Sequence, residues 1–258
     1  MRRFLFLSAG IAAALSSHAF AQTDDDEKYI GAGARVRPAY EGADSNRGDA
    51  IPYLRLYGEH FFARTTQGIF EGGWRTLPFG SVVFGAQLAY EEGRIRDESA
   101  FLKDHHFEYL HPGASLGLHA EGDWQIGALP LNALLRYRRN LESDNGAQAD
   151  LRVTAGILDW GGVRAGLYGQ FTWGDGKSTQ RFFGLTPQQA GTTGLPAYSA
   201  GSGLRSTEIG LVGDVDLAKH WVGLWSVYLQ QLQGDARDSP VVQERTNWYA
   251  NAGAAYRF

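Results

Sequence analysis

The C-terminal stretch, residues 247–258, constrains the fold more than any other part of the chain. Side chains alternate across a β-strand, so Trp248, Tyr256 and Phe258 share one face with three alanines, while Arg257 and the asparagines share the other. An apolar row with aromatics at both ends is typical of a strand that crosses a bilayer. The stretch therefore predicts the closing strand of a transmembrane β-barrel. A soluble periplasmic sheet, which would also alternate, is the alternative.

The N-terminus has the pattern of a secretory signal peptide. Arg2 and Arg3 precede an apolar run over residues 4–15, and Ala-Phe-Ala at 19–21 is a small-x-small cleavage site. We predict a cleaved signal peptide over residues 1–21 and an outer-membrane barrel over residues 22–258. The chain contains no Cys, which excludes a disulfide scaffold and a lipid-modified N-terminal cysteine.

Composition excludes two further classes of protein. After residue 21 no uncharged apolar run reaches the ~18 residues that a membrane helix requires, so a membrane protein with this sequence must be a barrel. The net charge of -4 arises from mixed signs without a basic stripe, which argues against a nucleic-acid partner.

Alternation along the chain predicts an all-β, antiparallel transmembrane barrel of about 12 strands, with outer-membrane lipid around it. The predicted strands cover residues 28–38, 50–57, 60–65, 69–77, 81–90, 111–120, 130–140, 151–157, 163–173, 207–216, 221–230 and 247–258. Short connections near residues 58, 78, 122, 160 and 218 alternate with longer ones. Short periplasmic turns and long extracellular loops predict the outer membrane of a Gram-negative cell.

Polar positions of these strands place many charged side chains inside the barrel. The candidates that line the lumen are Arg35, Arg37, Arg55, Arg136, Arg138, Arg152, Arg164 and Glu208, and Asp214 lies on the same side. Buried charges must be hydrated or paired. One interpretation is a plug of arginine–carboxylate contacts that fills a narrow barrel; the other is a small pore with anion preference.

No group of residues predicts catalysis, a cofactor or a metal site. Asp104, His105, His106 and Glu108 form a polar cluster, but adjacent His side chains diverge and a solvated loop explains them better. Ser115 and His119 share a face that points to the lumen, away from lipid. Asp97, with Asp104 and His105, is the nearest approach to the Asp and His pairs of an omptin-like protease.

Short motifs in a fixed order permit a comparison with a family. They are Pro-Ala-Tyr-Glu-Gly at 38–42, Gly93-Arg94 with Asp97, Ser99 and Leu102, Phe-Gly-Leu-Thr at 183–186 with Gln189-Ala190, Gly194-Leu195 and Tyr198, Leu232 with Gly-Asp-Ala at 234–236 and Asp-Ser-Pro at 238–240, and Tyr-Arg-Phe at 256–258. With these the chain resembles the MipA/OmpV family of outer-membrane proteins over nearly all of residues 22–258. It departs at Leu185, where the family pattern has Val.

The resemblance implies an outer-membrane barrel that acts as a scaffold for a lytic transglycosylase, MltA, and a peptidoglycan synthase. Other members resemble adhesins or antigenic porin-like proteins, so a narrow channel and a surface adhesin stay open as functions. No catalytic residue is implied. Tyr256 and Phe258 are also expected to belong to the signal that directs barrel assembly.

Overall fold

The fold is given by a computed structural model that describes residues 28–66 and 69–258. The predicted signal peptide and the acidic residues 24–27 lie outside this range. The described strands are β1 (Tyr29–Pro38), β2 (Asn46–Tyr57), β3 (Phe61–Thr66), β4 (Ile69–Arg75), β5 (Val82–Glu91), β6 (Gly113–Ile126), β7 (Leu129–Asn140), β8 (Ala147–Trp160), β9 (Val163–Gly174), β10 (Gly203–Ala218), β11 (Trp221–Leu232) and β12 (Thr246–Arg257).

The strands form a closed antiparallel barrel, as predicted. Each strand pairs with its neighbours in sequence, and β1 pairs with β12 from Tyr29–Arg257 to Val36–Ala250. Closure supplies every strand with two neighbours, which is what a sheet requires in lipid. The C-terminal stretch is therefore the closing strand.

Alternation along the strands separates two surfaces. On β5 the side chains of Phe84, Leu88 and Tyr90 are exposed on the outside of the barrel, whereas Gln87 is buried inside. On β12, Trp248 is exposed while its neighbour Asn247 is buried. Exposed apolar side chains belong to the lipid-facing band of an outer-membrane barrel.

The short turns lie at one rim, but one of them differs from the prediction. Gly161 and Gly162, with φ of 61° and 80°, join β8 to β9 as a two-residue turn. The turn predicted near residue 122 is wrong, because β6 continues to Ile126 and turns at Gly127, whose φ is 62°. Gly122 is a strand residue at which an added Cβ would lie 2.4 Å from the Trp124 ring, so close packing explains this glycine.

The long loops at the opposite rim contain four short helices that the alternation did not predict. They are α1 (Ala100–Asp104), α2 (Gly176–Phe183), α3 (Pro187–Thr193) and α4 (Gly234–Arg237). α3 begins with a capping box in which Thr186 and Gln189 bond each other's backbone N–H groups. Within the described residues, each helix falls short of the length and apolar character that a membrane crossing demands.

Two glycines meet where the barrel closes. Gly33 on β1 pairs with Gly253 on β12. A Cβ added to Gly33 would lie 2.6 Å from Cε2 of Tyr53, and one added to Gly253 would lie 2.4 Å from the same atom. The tyrosine ring of β2 therefore packs over a seam that has space only for glycine.

We predict that Gly253→Val hinders barrel closure, because the new side chain would collide with Tyr53. Closed barrels migrate anomalously on a denaturing gel without boiling, so the fraction of protein in the fast-migrating band measures closure. Ala254→Val, on the lipid-facing side of the same strand, is the control and should close normally. Equal closure of both variants would contradict the packing argument.

Candidate functional site

The charged interior of the barrel is the candidate functional site. Within the described residues the sheet collects arginines and carboxylates from most of the strands on its inner surface, and many of them are buried. Most of these side chains form ion pairs that join different strands.

Near the loop rim, β1 and β2 hold a cluster of opposite charges. Arg35 donates to Asp49 at 3.1 Å and to Glu92 at 2.6 Å. Arg37 donates to the same Asp49 carboxylate at 2.7 Å. Glu92 lies in the loop after β5, so this cluster ties a loop to the barrel wall.

At mid-height Glu71 is the centre of a buried network. Its side chain on β4 is 0 % exposed and accepts hydrogen bonds from Arg64 at 2.6 Å, Gln87 at 2.8 Å and Arg136 at 3.0 Å. Arg64 also donates to Glu121 at 2.5 Å. Residues of β3, β5 and β7 thus meet β4 at one carboxylate, and Arg64 links this site to β6.

A second carboxylate extends this network toward the loops. Asp150 on β8 accepts from Arg136 and from Arg138, both at 3.1 Å. Arg138 also donates to Glu91 at 3.3 Å. The ion pairs therefore form a row in which two arginines alternate with three carboxylates. Pairing with an opposite charge offsets the free-energy cost of burying each charged group.

The other predicted lumen residues have different partners. Arg55 lies over the Tyr57 ring at 5.2 Å, and Arg152 bonds Gln170 at 2.8 Å while its guanidinium lies over Tyr168 at 5.1 Å. Arg164 forms an ion pair with Asp214 near the turn rim. Glu208 accepts from Gln230 at 3.3 Å.

Sequence reasoning did not single out several residues of the network. Arg64 and Glu71 lie on the short strands β3 and β4, where alternation is weak, and Asp150 lies at the start of β8 before the predicted strand begins. Arg205, which pairs with Glu41 of the loop after β1, lies in a segment that the sequence assigns to a loop. Asp150 lies two residues before Arg152, so a predicted strand that began earlier would have placed both side chains on the same inner face.

Loops close the upper rim of the barrel through an apolar core, here termed the loop cluster. It consists of Ala39, Tyr40, Ala43, Leu102, Phe107, Leu185 and Val241. The Tyr40 hydroxyl donates to the Val241 carbonyl at 2.9 Å and so joins the first loop to the last one. Apolar packing of this kind holds the loops against each other over the lumen.

Burial in the loops shifts the pKa of two side chains. Burial raises the pKa of the Tyr40 hydroxyl, which keeps it neutral. Burial lowers the pKa of Arg94 to about 10, so this guanidinium still carries its charge at neutral pH.

Within the described part of the chain, the lumen contains three cavities. The upper cavity, about 190 Å³, lies among Arg35, Arg94, Arg138 and Arg205 below the loop cluster. A middle cavity of about 160 Å³ includes Arg55 and Arg152, and a lower one of about 300 Å³ lies beside the turn after β4. The network around Glu71 occupies the space between them. Each cavity is small for a diffusion channel.

The polar cluster of the second long loop is dispersed in the structure. His105 bonds the Phe101 carbonyl at 2.9 Å through Nδ1, and its ring lies tilted against the Phe101 ring with the centroids 4.4 Å apart. Asp97 accepts from the Tyr109 hydroxyl at 2.6 Å. In residues 28–66 and 69–258, no three acidic, His or Cys side chains converge as a metal site would need.

Ser115 and His119 do not bond each other. Ser115 donates to Glu91 at 2.7 Å, and Nδ1 of His119 is hydrogen-bonded to Gln87 at 2.6 Å. Both side chains thus belong to the ion-pair network. A nucleophile would need a hydrogen bond to its base, and this geometry lacks it.

Comparison with known proteins identifies the relatives of this chain. The sequence matches the family described as MltA-interacting protein MipA over residues 30–258. No protein with a curated description matches the chain.

Among solved structures, the chain is similar to the COG4313 outer membrane channel from Pseudomonas putida F1, with a TM-score of 0.51 and 10% identity over 92% of this chain and 99% of that one. It also matches the beta domain of the Bordetella autotransporter BrkA, with a TM-score of 0.41 and 12% identity over 90% of this chain and 99% of that one. The likeness to the COG4313 channel shows the fold of an outer-membrane barrel. With the family match, it confirms the predicted location in the outer membrane of a Gram-negative cell.

We predict that Glu71→Gln destabilises the barrel by about 3 kcal/mol, because it leaves Arg64 and Arg136 with less compensating charge in a buried site. Urea unfolding of the refolded barrel in lipid vesicles measures the change. Glu59→Gln, at an exposed turn, removes the same charge without a buried partner and should leave stability unchanged. Equal stability of both variants would contradict a central role for Glu71.

Proposed function

The chain belongs to the MipA family, and from that membership we propose that it is a non-catalytic outer-membrane protein that binds murein enzymes in the periplasm. The observation that carries the proposal is the match of the family over residues 30–258, since the family's description names an interaction with MltA. MltA is a lytic transglycosylase. In the finer form of the proposal, the barrel brings such an enzyme together with a peptidoglycan synthase.

The contents of the lumen support binding rather than transport. Arg136 bridges Glu71 and Asp150 across the interior, and the loop cluster covers the upper rim. Such an interior fits the predicted plug of arginine–carboxylate contacts better than it fits the small pore with anion preference. A partner protein would then bind at a rim of the barrel.

The periplasmic rim offers the surface for such a partner. Among the described residues it consists of the turns at residues 58–60, 76–81, 127–128, 161–162 and 219–220. In the sequence, the acidic residues 24–27 precede β1. The lower cavity lies beside this rim and is lined in part by Pro78, Gly80 and Ser81. A partner that contacts these turns would also reach the cavity.

We predict that reversing the charge of residues 24–27 to lysines abolishes co-purification with a lytic transglycosylase in a crosslinking pull-down from intact envelopes. The physical reason is the loss of the acidic patch that a basic surface would meet. Asp144→Lys reverses a fully exposed carboxylate on the opposite rim and is the matched control. Undiminished capture by the lysine variant would exclude this surface.

We also predict that the unmodified barrel gives no single-channel conductance in a planar bilayer at any voltage, because the network around Glu71 fills the lumen. The double variant Glu71→Ala with Arg136→Ala removes its central pair and should conduct, which shows that the assay detects an open lumen. Steady anion-selective steps from the unmodified protein would favour the pore instead.

A further inference from the structure

The upper cavity contains one arginine that differs from the others. Six arginines and five acidic side chains line the cavity. Five of the arginines form ion pairs with carboxylates. In the part of the chain that the structure describes, no carboxylate bonds the sixth, Arg94. The cavity therefore has a cation whose charge its own wall does not compensate.

Arg94 is held rigidly even so. Its side chain is 7 % exposed, Nη1 donates to the Phe182 carbonyl at 2.7 Å, and the guanidinium lies over the Phe107 ring at 5.1 Å. Its buried Nε has no hydrogen-bond partner among the described residues. A buried guanidinium with unused donors is costly without an anion nearby.

The backbone N–H of Arg94 does not compete for such an anion. It donates to the Leu110 carbonyl at 2.9 Å, and the Arg94 carbonyl accepts from Leu110 in return. This two-residue bridge fixes the start of the loop after β5. The guanidinium is thus positioned before any ligand arrives, which lowers the entropy cost of binding.

The barrel wall beside this cavity is incomplete. β2 pairs with β1 from Asn46 to Arg55, but with β3 only from Arg55 to Tyr57 among the described residues. In the described residues, β3 therefore does not pair with residues 46–54 of β2, although the two strands are neighbours in the closed barrel. Ile69, the first residue of β4, lines the cavity, and so does Tyr90, whose side chain is 45 % exposed on the outer surface.

We propose that the upper cavity is an anion-binding site in which Arg94 recognises a phosphate or a similar oxyanion. Arginine is suited to this chemistry because its planar fork donates two parallel hydrogen bonds to such groups. Other arginines of the cavity keep their carboxylate partners and set the shape of the site. The anion is either the headgroup of an outer-leaflet lipid, which enters beside Ile69 and Tyr90, or a free solute.

The test uses the full barrel in dodecyl maltoside micelles, which contain no phosphate, with phosphatidylglycerol added in one arm and inorganic phosphate in the other. Native mass spectrometry counts retained phosphatidylglycerol, and calorimetry measures phosphate binding. We expect Arg94→Gln to weaken binding of the anion about tenfold or more, because one charge-assisted contact is lost. Arg94→Lys should retain part of the binding. Arg96→Gln, an exposed arginine of the same loop, is the control and should bind normally.

The source of the anion follows from a second substitution. Ile69→Trp narrows the side entrance without altering charge. If the site takes lipid, the variant retains less phosphatidylglycerol; if it takes a free solute, phosphate binding is unaffected by Ile69→Trp but is lost in Arg94→Gln. The proposal is overturned if neither probe binds, or if Arg94→Gln and Arg96→Gln bind alike. Anomalous migration on an unboiled gel shows that each variant has folded.

Discussion

The structure depends on one requirement, that a sheet in lipid closes into a barrel in which every strand has two neighbours. Pairing of β1 with β12 meets it by closing the barrel. Closure then places every second side chain of each strand in an interior with little water. Many charged residues of the strands are on that inner face, so the barrel is stable only if their charges compensate one another.

The ion pairs that compensate buried charges in this barrel also join strands that are not neighbours. Arg136 on β7 bonds Glu71 on β4, and Arg205 on β10 pairs with Glu41 of the loop between β1 and β2. Such pairs connect strands that are not neighbours in the wall and attach loops to strands. Because desolvation offsets much of the attraction in a buried pair, their main effect is to specify one arrangement of the interior. The loop cluster adds apolar packing to the same arrangement.

The sequence predicted the barrel, its strand number and the outward faces, because period-2 alternation survives wherever one side of a strand meets lipid. It placed the turn after β6 wrongly, since Gly122 signals close packing as readily as a turn. It did not find Glu71, because β4 has only seven residues and too few alternations to reveal its inner face. Partners such as Arg35 and Glu92 are 57 positions apart, and no local pattern connects them. The helices of the loops follow from capping and apolar contacts between loops, which alternation does not detect.

The gap beside β2 has a counterpart in the sequence. Pro52 lies in the middle of this strand and has no N–H to donate, so it would interrupt a ladder that had neighbours on both sides. It pairs with Ala32 of β1, and in the described residues β3 ends its pairing with β2 three positions below it. Proline is one of the devices that keep an edge strand from joining other chains. The residue that has no N–H to donate thus coincides with the part of β2 along which β3 does not pair. Ile69 at the start of β4 and Tyr90 near the end of β5 line the cavity that contains Arg94, so the proposed entrance for a lipid headgroup lies beside this same part of the wall.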